Sequence, residues 1–89
     1  MVERTVQIVN SNGLHARPAA AIVKAAARYK SSVTLTRDDL EVNGKSIMGV
    51  MMLAAEEGAT IRVRAEGADE AAAVAALQDL VDGKFGGEP

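Results

Sequence analysis

His15 and Arg17 are the two side chains of this sequence whose types and spacing could do chemistry together. His15 is the only histidine, and a neutral imidazole is a nucleophile that can form a covalent bond to phosphorus. Arg17 carries a planar guanidinium that can donate two parallel hydrogen bonds to phosphate oxygens. The pair therefore predicts a site that accepts and holds a phosphoryl group.

The residues that flank His15 predict that it lies at the start of a helix. Asn12-Gly13 is a turn signal, and Pro18 suits the first helical turn, where its missing N–H costs nothing. A helix N-terminus presents unpaired N–H groups and about half a positive elementary charge, so it attracts anions and disfavours the imidazolium form. The apolar periodicity alone leaves open that His15 is a surface residue or a simple cap. Small apolar residues recur at helical spacing after the proline: Ala19, Ile22, Val23, Ala26 and Ala27.

Composition excludes several classes of function. The chain has 89 residues, a formal net charge of −2 and no cysteine, so we expect one domain (1–89) without disulfides or thiolate metal sites. A single histidine cannot form an imidazole-rich metal site, and we predict neither a metal nor a cofactor. The charge and the scarcity of aromatic residues argue against a nucleic-acid binder. The sequence has no signal-peptide pattern or long apolar run, which predicts a cytoplasmic protein without membrane insertion.

The apolar periodicity predicts the element order βαββαβα. Strands are predicted where apolar and polar residues alternate, at 2–9, 33–36, 40–42 and 60–65. Helices are predicted at 16–29, after Ser46, and between Asp69, a candidate cap, and Gly83. Alternating strands and a hairpin need one solvated sheet face, so we expect an α+β domain with an antiparallel sheet and its helices on one face. Residues 84–89 are predicted to be a loose C-terminal tail.

Gly44-Lys45-Ser46 matches the end of a phosphate-binding P-loop, but the rest of that motif is missing. The glycine required five positions before the second P-loop glycine is replaced by Asp39, and no parallel α/β unit surrounds the triplet. We therefore reject nucleotide binding and predict that Ser46 caps the short helix that follows it.

The short helix after Ser46 has two apolar faces. At the helical repeat, Ile47, Met48 and Met51 share one arc, and Val50 and Leu53 lie on the opposite side. A helix of two turns cannot bury both faces against one small domain. We predict that one face contacts the core and the other a partner; burial of all five under neighbouring loops is the alternative.

Two motifs together resemble one protein family. Gly13-Leu14-His15-Ala16-Arg17-Pro18-Ala19 resembles the phosphorylation-site signature of HPr, the histidine-containing phosphocarrier of the bacterial phosphotransferase system. Lys45-Ser46-Ile47-Met48-Gly49-Val50-Met51 resembles the segment that a dedicated serine kinase modifies in many HPr proteins. The second motif lies at the distance from His15 that the family pattern requires, and the resemblance covers almost the whole chain.

The resemblance implies a fold and a function. The fold would be an open-faced β-sandwich with strand order 1-4-2-3, and the protein a carrier rather than an enzyme. His15 would accept a phosphoryl group through Nδ1 from phosphorylated enzyme I and pass it to enzyme IIA components for sugar uptake. The Arg17 side chain and the backbone N–H groups of Ala16 and Arg17 would stabilise that group, and Ser46 would be the regulatory site of the HPr serine kinase/phosphorylase.

The exposed apolar arc of the short helix indicates a surface for partners. We expect it to comprise Ala20, Ile47, Met48 and Met51, to serve enzyme I, enzyme IIA components and a transcription regulator, and to belong to a monomer. Two alternatives stay open. One is a nitrogen-type or purely regulatory relative that uses the same histidine with other partners, although the residues around Ser46 fit the kinase-regulated type better. The other is a protein-binding or corepressor module with a silent histidine.

Overall fold

The chain folds into four strands and four helices, and a computed structural model describes all of its residues, Met1–Pro89. The α+β class and all seven predicted elements are confirmed, although the first helix ends earlier than predicted. The elements are β1 (Val2–Gln7), α1 (Ala16–Ala26), β2 (Ser32–Arg37), β3 (Leu40–Asn43), α2 (Ile47–Met52), β4 (Thr60–Glu66), α3 (Glu70–Asp82) and α4 (Lys84–Gly87).

The strands form one antiparallel sheet in the order β1-β4-β2-β3, as the family resemblance implies. The register pairs Val6 with Ile61 and Leu35 with Val63. Because successive side chains of a strand point to opposite faces, this register places the apolar residues of all the central strands on one face. The helices cover that face and leave the polar face open to solvent.

Small and branched aliphatic side chains fill the space between the sheet and the helices. Twenty apolar residues form one buried cluster, and three of its alanines, Ala19, Ala26 and Ala73, are fully buried. Alanine at these positions lets the helices lie close to the sheet, so larger side chains there would force shifts in a closely packed core. None of the helices combines the length and apolarity that crossing a bilayer requires.

Residues 84–89 are packed against the domain, so the prediction of a loose tail is wrong. Phe85 is only 8 % exposed and belongs to the core cluster. Lys84 and Phe85 take φ values of 54° and 56°, a left-handed conformation that costs about 1–2 kcal/mol for each non-glycine residue. Burial of a phenylalanine side chain contributes about 1.5–3 kcal/mol, which offsets much of that cost. We refer to residues 84–89 as the closing segment.

Asp69 occupies the N-cap position of α3, but its side chain does not cap that helix, contrary to the prediction. Its carboxylate instead accepts hydrogen bonds from the backbone N–H groups of Lys30 (2.8 Å) and Ser31 (2.9 Å) and from the Ser31 hydroxyl. The Ser31 hydroxyl, followed by the two N–H groups, lowers the pKa of Asp69 to about 2. Asp69 therefore ties the turn after α1 to the start of α3.

Candidate functional site

His15 lies at the N-cap position of α1 in an extended conformation (φ −76°, ψ −174°), and its side chain makes no capping hydrogen bond. The imidazole is half-buried, so one side of it faces solvent. The N–H groups of Ala16 and Arg17 donate no hydrogen bond within the protein, and the first helical hydrogen bond runs from the Ala19 N–H to the His15 carbonyl (3.0 Å). The imidazole therefore lies beside two unpaired donors, as the sequence predicts.

The turn before His15 is fixed against the connection between α2 and β4. Gly13 has a φ of 66°, and a Cβ at this position would collide with the carbonyl oxygen of Ala55. The same carbonyl accepts a hydrogen bond from the Leu14 N–H (2.8 Å), and the Leu14 side chain is buried. Glycine is required because its neighbours leave no room for a side chain and the backbone is left-handed. This close contact sets the direction in which the chain enters α1.

Arg37 fixes the segment around Ala55 that Gly13 and Leu14 contact. Its guanidinium donates to the carbonyl oxygens of Leu53 (3.2 Å) and Ala54 (2.8 Å) and forms an ion pair with Glu56. Leu53 is the C-cap residue of α2 and Ala54 follows it, so Arg37 satisfies carbonyl groups that a helix C-terminus leaves unpaired. The sequence analysis missed this role. The available signal was a charged residue at the third inward-facing position of β2, after Val33 and Leu35.

The Arg17 guanidinium forms no hydrogen bond with the imidazole. The Arg17 side chain is 81 % exposed, and Nη1 lies 3.6 Å from Oε1 of Glu88 in the closing segment. Exposed ion pairs of this kind stabilise a protein by only about 0–1 kcal/mol. Arg17 can therefore leave Glu88 and turn toward an anion bound at the start of α1.

Asn10 and Pro89 also belong to the site, and the sequence analysis identified neither. Nε2 of His15 lies 3.3 Å from the main-chain oxygen of Pro89, while Nδ1 has no hydrogen-bond partner in the protein. Asn10 is 1 % exposed, and its Nδ2 donates to the carbonyl oxygen of Gly13 (2.7 Å) and to the main-chain oxygen of Pro89 (2.9 Å). The wrong prediction for residues 84–89 concealed this part of the site.

Ser46 caps α2, as predicted. Its Oγ accepts a hydrogen bond from the Gly49 N–H (3.1 Å), and its backbone is extended (φ −117°, ψ 118°). The preceding residue, Lys45, donates through Nζ to the carbonyl oxygen of Tyr29 (2.8 Å). Lys45 therefore links the start of α2 to the turn that follows α1.

The two faces of α2 differ as the sequence predicts. Val50 and Leu53 are buried in the core, and the opposite face is exposed. Met52, which the sequence analysis did not assign, extends the exposed apolar surface. Ala20 is exposed on α1, which packs against α2. We call the exposed residues of this surface the apolar patch: Ala20, Ile47, Met48, Met51 and Met52.

The chemistry that this arrangement supports is capture of an anion at an exposed nucleophile. The imidazole, the two unpaired N–H groups and an exposed guanidinium lie at one helix start, and none of the cavities in the structure includes His15. No group of three or more histidine, cysteine, aspartate or glutamate side chains is placed to hold a metal ion. A partner would therefore meet His15 on an open surface.

Comparisons with known proteins identify the family of the chain. Residues 2–82 match the family model described as "PTS HPr component phosphorylation site". The phosphocarrier protein HPr of Neisseria meningitidis is 49% identical over 86 residues, which cover 97% of both chains. A crystal structure of HPr from Thermoanaerobacter tengcongensis has a TM-score of 0.95 at 46% identity, with 100% of both chains covered. An HPr dimer from the same organism has a TM-score of 0.79 at 46% identity, with 98% of this chain and 100% of that chain covered. The chain therefore belongs to the HPr family of phosphocarrier proteins.

Proposed function

We propose that this chain accepts a phosphoryl group on Nδ1 of His15 from phosphorylated enzyme I and passes it to enzyme IIA components in the cytoplasm. One observation carries the proposal. A half-exposed imidazole whose Nδ1 has no partner lies at a helix start where the N–H groups of Ala16 and Arg17 are also unpaired. Family membership supports the same conclusion, because phosphoryl carriage is the activity of the relatives.

Transfer between two histidines is an in-line displacement at phosphorus. The Nδ1 lone pair of His15 forms the new P–N bond while the P–N bond of the donor breaks, and that electron pair returns to the donor imidazole. The reaction requires little acid–base chemistry, so positioning and charge stabilisation supply most of the catalysis. The N–H groups of Ala16 and Arg17 would donate to the phosphoryl oxygens, and the N-terminal end of α1 would favour their charge.

Arg17 would join the site only when the phosphoryl group is present. Its guanidinium pairs with Glu88, and a phosphoryl group carries more negative charge than a single carboxylate and offers three acceptor oxygens. A single exposed arginine stabilises the phosphoryl group without enclosing it. This suits a carrier, because the next partner must reach the phosphorus atom from solvent.

The apolar patch would contact the partners. Met48 is 78 % exposed and Met52 is 64 % exposed, and methionine adapts its shape to different surfaces. Because the patch and His15 lie on packed helices, one partner could cover both. We infer that the chain works as a monomer; sedimentation at micromolar concentration would test this, and a stable dimer would contradict it.

Ser46 would be the regulatory site for the HPr serine kinase/phosphorylase. A phosphoserine carries about −1.5 to −2 charges near neutral pH, and the charge would lie beside Ile47 and Met48 of the apolar patch. The added charge and hydration would change which partners bind, including enzyme I and a transcription regulator.

The test is one incubation with phosphoenolpyruvate and enzyme I. We expect the intact mass to rise by one phosphoryl group and site mapping to locate an acid-labile, base-stable adduct on His15. Parallel incubation with nitrogen-type enzyme I separates the sugar-type carrier from a nitrogen-type relative. No adduct with either enzyme would contradict the proposal.

The exposed apolar patch also favours a second candidate, a protein-binding or corepressor module with a silent histidine. The two candidates differ in the consequence of changing His15. A corepressor of that kind would bind its partner equally well with His15→Ala, whereas the carrier variant would accept no phosphoryl group.

A further inference from the structure

Asn10 is the buried polar side chain that the phosphoryl-transfer proposal leaves unexplained. It is 1 % exposed, and its Oδ1 accepts no hydrogen bond from the protein. Both neighbours of Nδ2 are main-chain oxygens, which can only accept, so the amide must present its NH₂ group to them. Burial of a polar side chain with one atom unpaired is destabilising. Its two donated bonds are therefore the feature to explain.

Those two bonds connect the turn before His15 to the closing segment. One runs to the carbonyl oxygen of Gly13 (2.7 Å) and the other to the main-chain oxygen of Pro89 (2.9 Å). The Pro89 oxygen also lies 3.3 Å from Nε2 of His15. Asn10 thus holds the single oxygen that forms a hydrogen bond with the imidazole.

The contact to Pro89 decides where the imidazole proton resides. A main-chain oxygen has no proton to donate, so the contact is a hydrogen bond only when Nε2 carries the proton. In a neutral imidazole the other nitrogen, Nδ1, then keeps its lone pair. A hydrogen bond to one ring nitrogen sets the tautomer in the same way at many metal-bound histidines.

We propose that Asn10 is a positioning residue for phosphoryl transfer, because it holds the Pro89 oxygen against Nε2 and thereby keeps Nδ1 unprotonated. The benefit of an unprotonated Nδ1 depends on the proposed function, because only a phosphoryl acceptor needs that lone pair. When the P–N bond forms at Nδ1, no proton has to leave that nitrogen, and the proton on Nε2 stays in place. The ring gains positive charge as the bond forms, so the hydrogen bond from Nε2 to the Pro89 oxygen strengthens in the product.

The test measures the tautomer of the unphosphorylated protein by ¹⁵N NMR of labelled histidine, above the pH at which the ring is protonated. We expect a pyrrole-type nitrogen at Nε2 and a pyridine-type nitrogen at Nδ1. Asn10→Ala removes both of its hydrogen bonds. Phe85→Ala releases the anchor of the closing segment and leaves the bond to Gly13 intact. In both variants we expect the Nδ1–H population to rise about threefold to tenfold, as the loss of one hydrogen bond predicts.

Asn12→Ala is the matched control, since Asn12 is exposed in the same loop and its side chain makes no hydrogen bond. The His15 tautomer ratio in this variant should equal that of the wild type. A mixed tautomer in the wild type overturns the inference, and so does an unchanged ratio in Asn10→Ala or in Phe85→Ala. Because no phosphoryl donor is present, these results stand whether or not the chain accepts a phosphoryl group. If Asn10→Ala does not fold, the wild type and Phe85→Ala still decide.

Discussion

The starts of α1 and α2 share a backbone arrangement but differ in what their first side chain does. His15 and Ser46 both occupy an N-cap position with extended φ and ψ. The Ser46 hydroxyl accepts the Gly49 N–H at 3.1 Å, whereas the His15 side chain caps nothing and leaves neighbouring N–H groups unpaired.

This difference separates stability from function. A helix whose first side chain caps it gains stability and has fewer free donors for a ligand. A helix whose first side chain is not a cap keeps its donors and its positive end available to an anion. We therefore expect changes at Ser46 to alter stability first and changes at His15 to alter chemistry first.

His15→Ala should give the largest effect on function and a small effect on stability. We expect no phosphoryl incorporation from phosphorylated enzyme I, because no other imidazole is present. The free energy of unfolding should change by no more than about 1 kcal/mol, since only one long hydrogen bond is lost. Intact mass and urea denaturation measure the two quantities. Phosphoryl incorporation by the variant, or a large loss of stability, would break the comparison.

Arg17→Ala should slow phosphoryl acceptance and leave the site able to react. Removing one preorganised donor costs about a hundredfold or more in enzyme active sites. Because the Arg17 side chain is 81 % exposed, solvent competes for its interactions, and we expect about a tenfold reduction. Rapid-quench measurement with phosphorylated enzyme I gives the rate. Arg28→Ala is the control, since Arg28 is exposed and forms no ion pair; equal rates for both variants would contradict a role for Arg17.

The start of the third helix, at Asp69, should control stability in acid. The Asp69 pKa is lowered from 3.8 to about 2 in the folded protein, so the folded state favours the charged form. Its contribution is complete above about pH 4 and is lost as the pH falls from there through about 2. Asp69→Asn should flatten that part of the stability profile in urea denaturation from pH 2 to 7.

Asp39→Asn serves as the control for the acid profile, because Asp39 is exposed in the β2–β3 turn and accepts no hydrogen bond from a side chain. We expect it to keep the steep acid region. An Asp69→Asn profile as steep as that of the wild type would mean that the hydrogen bonds from Ser31 and Lys30 do not favour the charged form.

The sequence predicts most of the fold and the centre of the site because both depend on local signals. Apolar periodicity locates the strands and helices, and Asn12-Gly13 with Pro18 identifies the start of α1. The Asp69 carboxylate could not be assigned in this way. A carboxylate at an N-cap position can bond its own helix or a distant turn, and only the tertiary arrangement decides.

The closing segment escaped prediction for a different reason. Gly86, Gly87 and Pro89 are typical of a loose end, yet a single aromatic side chain, Phe85, fixes the segment in a left-handed conformation. The signal was present, because Phe85 is one of only two aromatic residues and phenylalanine side chains are usually buried. The contact of Pro89 with His15 and Asn10 joins the closing segment to the loop before α1. Residues so far apart in the sequence leave no local signal of such a contact.

Ser46→Ala should reverse the outcome expected for His15→Ala. Loss of the hydrogen bond to the Gly49 N–H should lower the free energy of unfolding by about 1 kcal/mol. Phosphoryl acceptance on His15 should stay at the wild-type level, because the hydroxyl takes no part in that site. Ser11→Ala is the control, since Ser11 is exposed and makes no side-chain hydrogen bond. A stability equal to that of Ser11→Ala would mean that the cap contributes nothing.

Ser46→Asp should have the smallest effect on stability, although it adds a charge. Aspartate caps a helix about as well as serine, and a negative charge is favourable at a helix N-terminus. The free energy of unfolding should stay within about 0.5 kcal/mol of the wild-type value. Ser46→Asn is the matched control, since asparagine also caps well and carries no charge. If Ser46→Asp weakens binding of enzyme I and Ser46→Asn does not, charge beside the apolar patch is the cause. A loss of stability in Ser46→Asp as large as that in Ser46→Ala would contradict the expectation that this helix start accepts a negative charge.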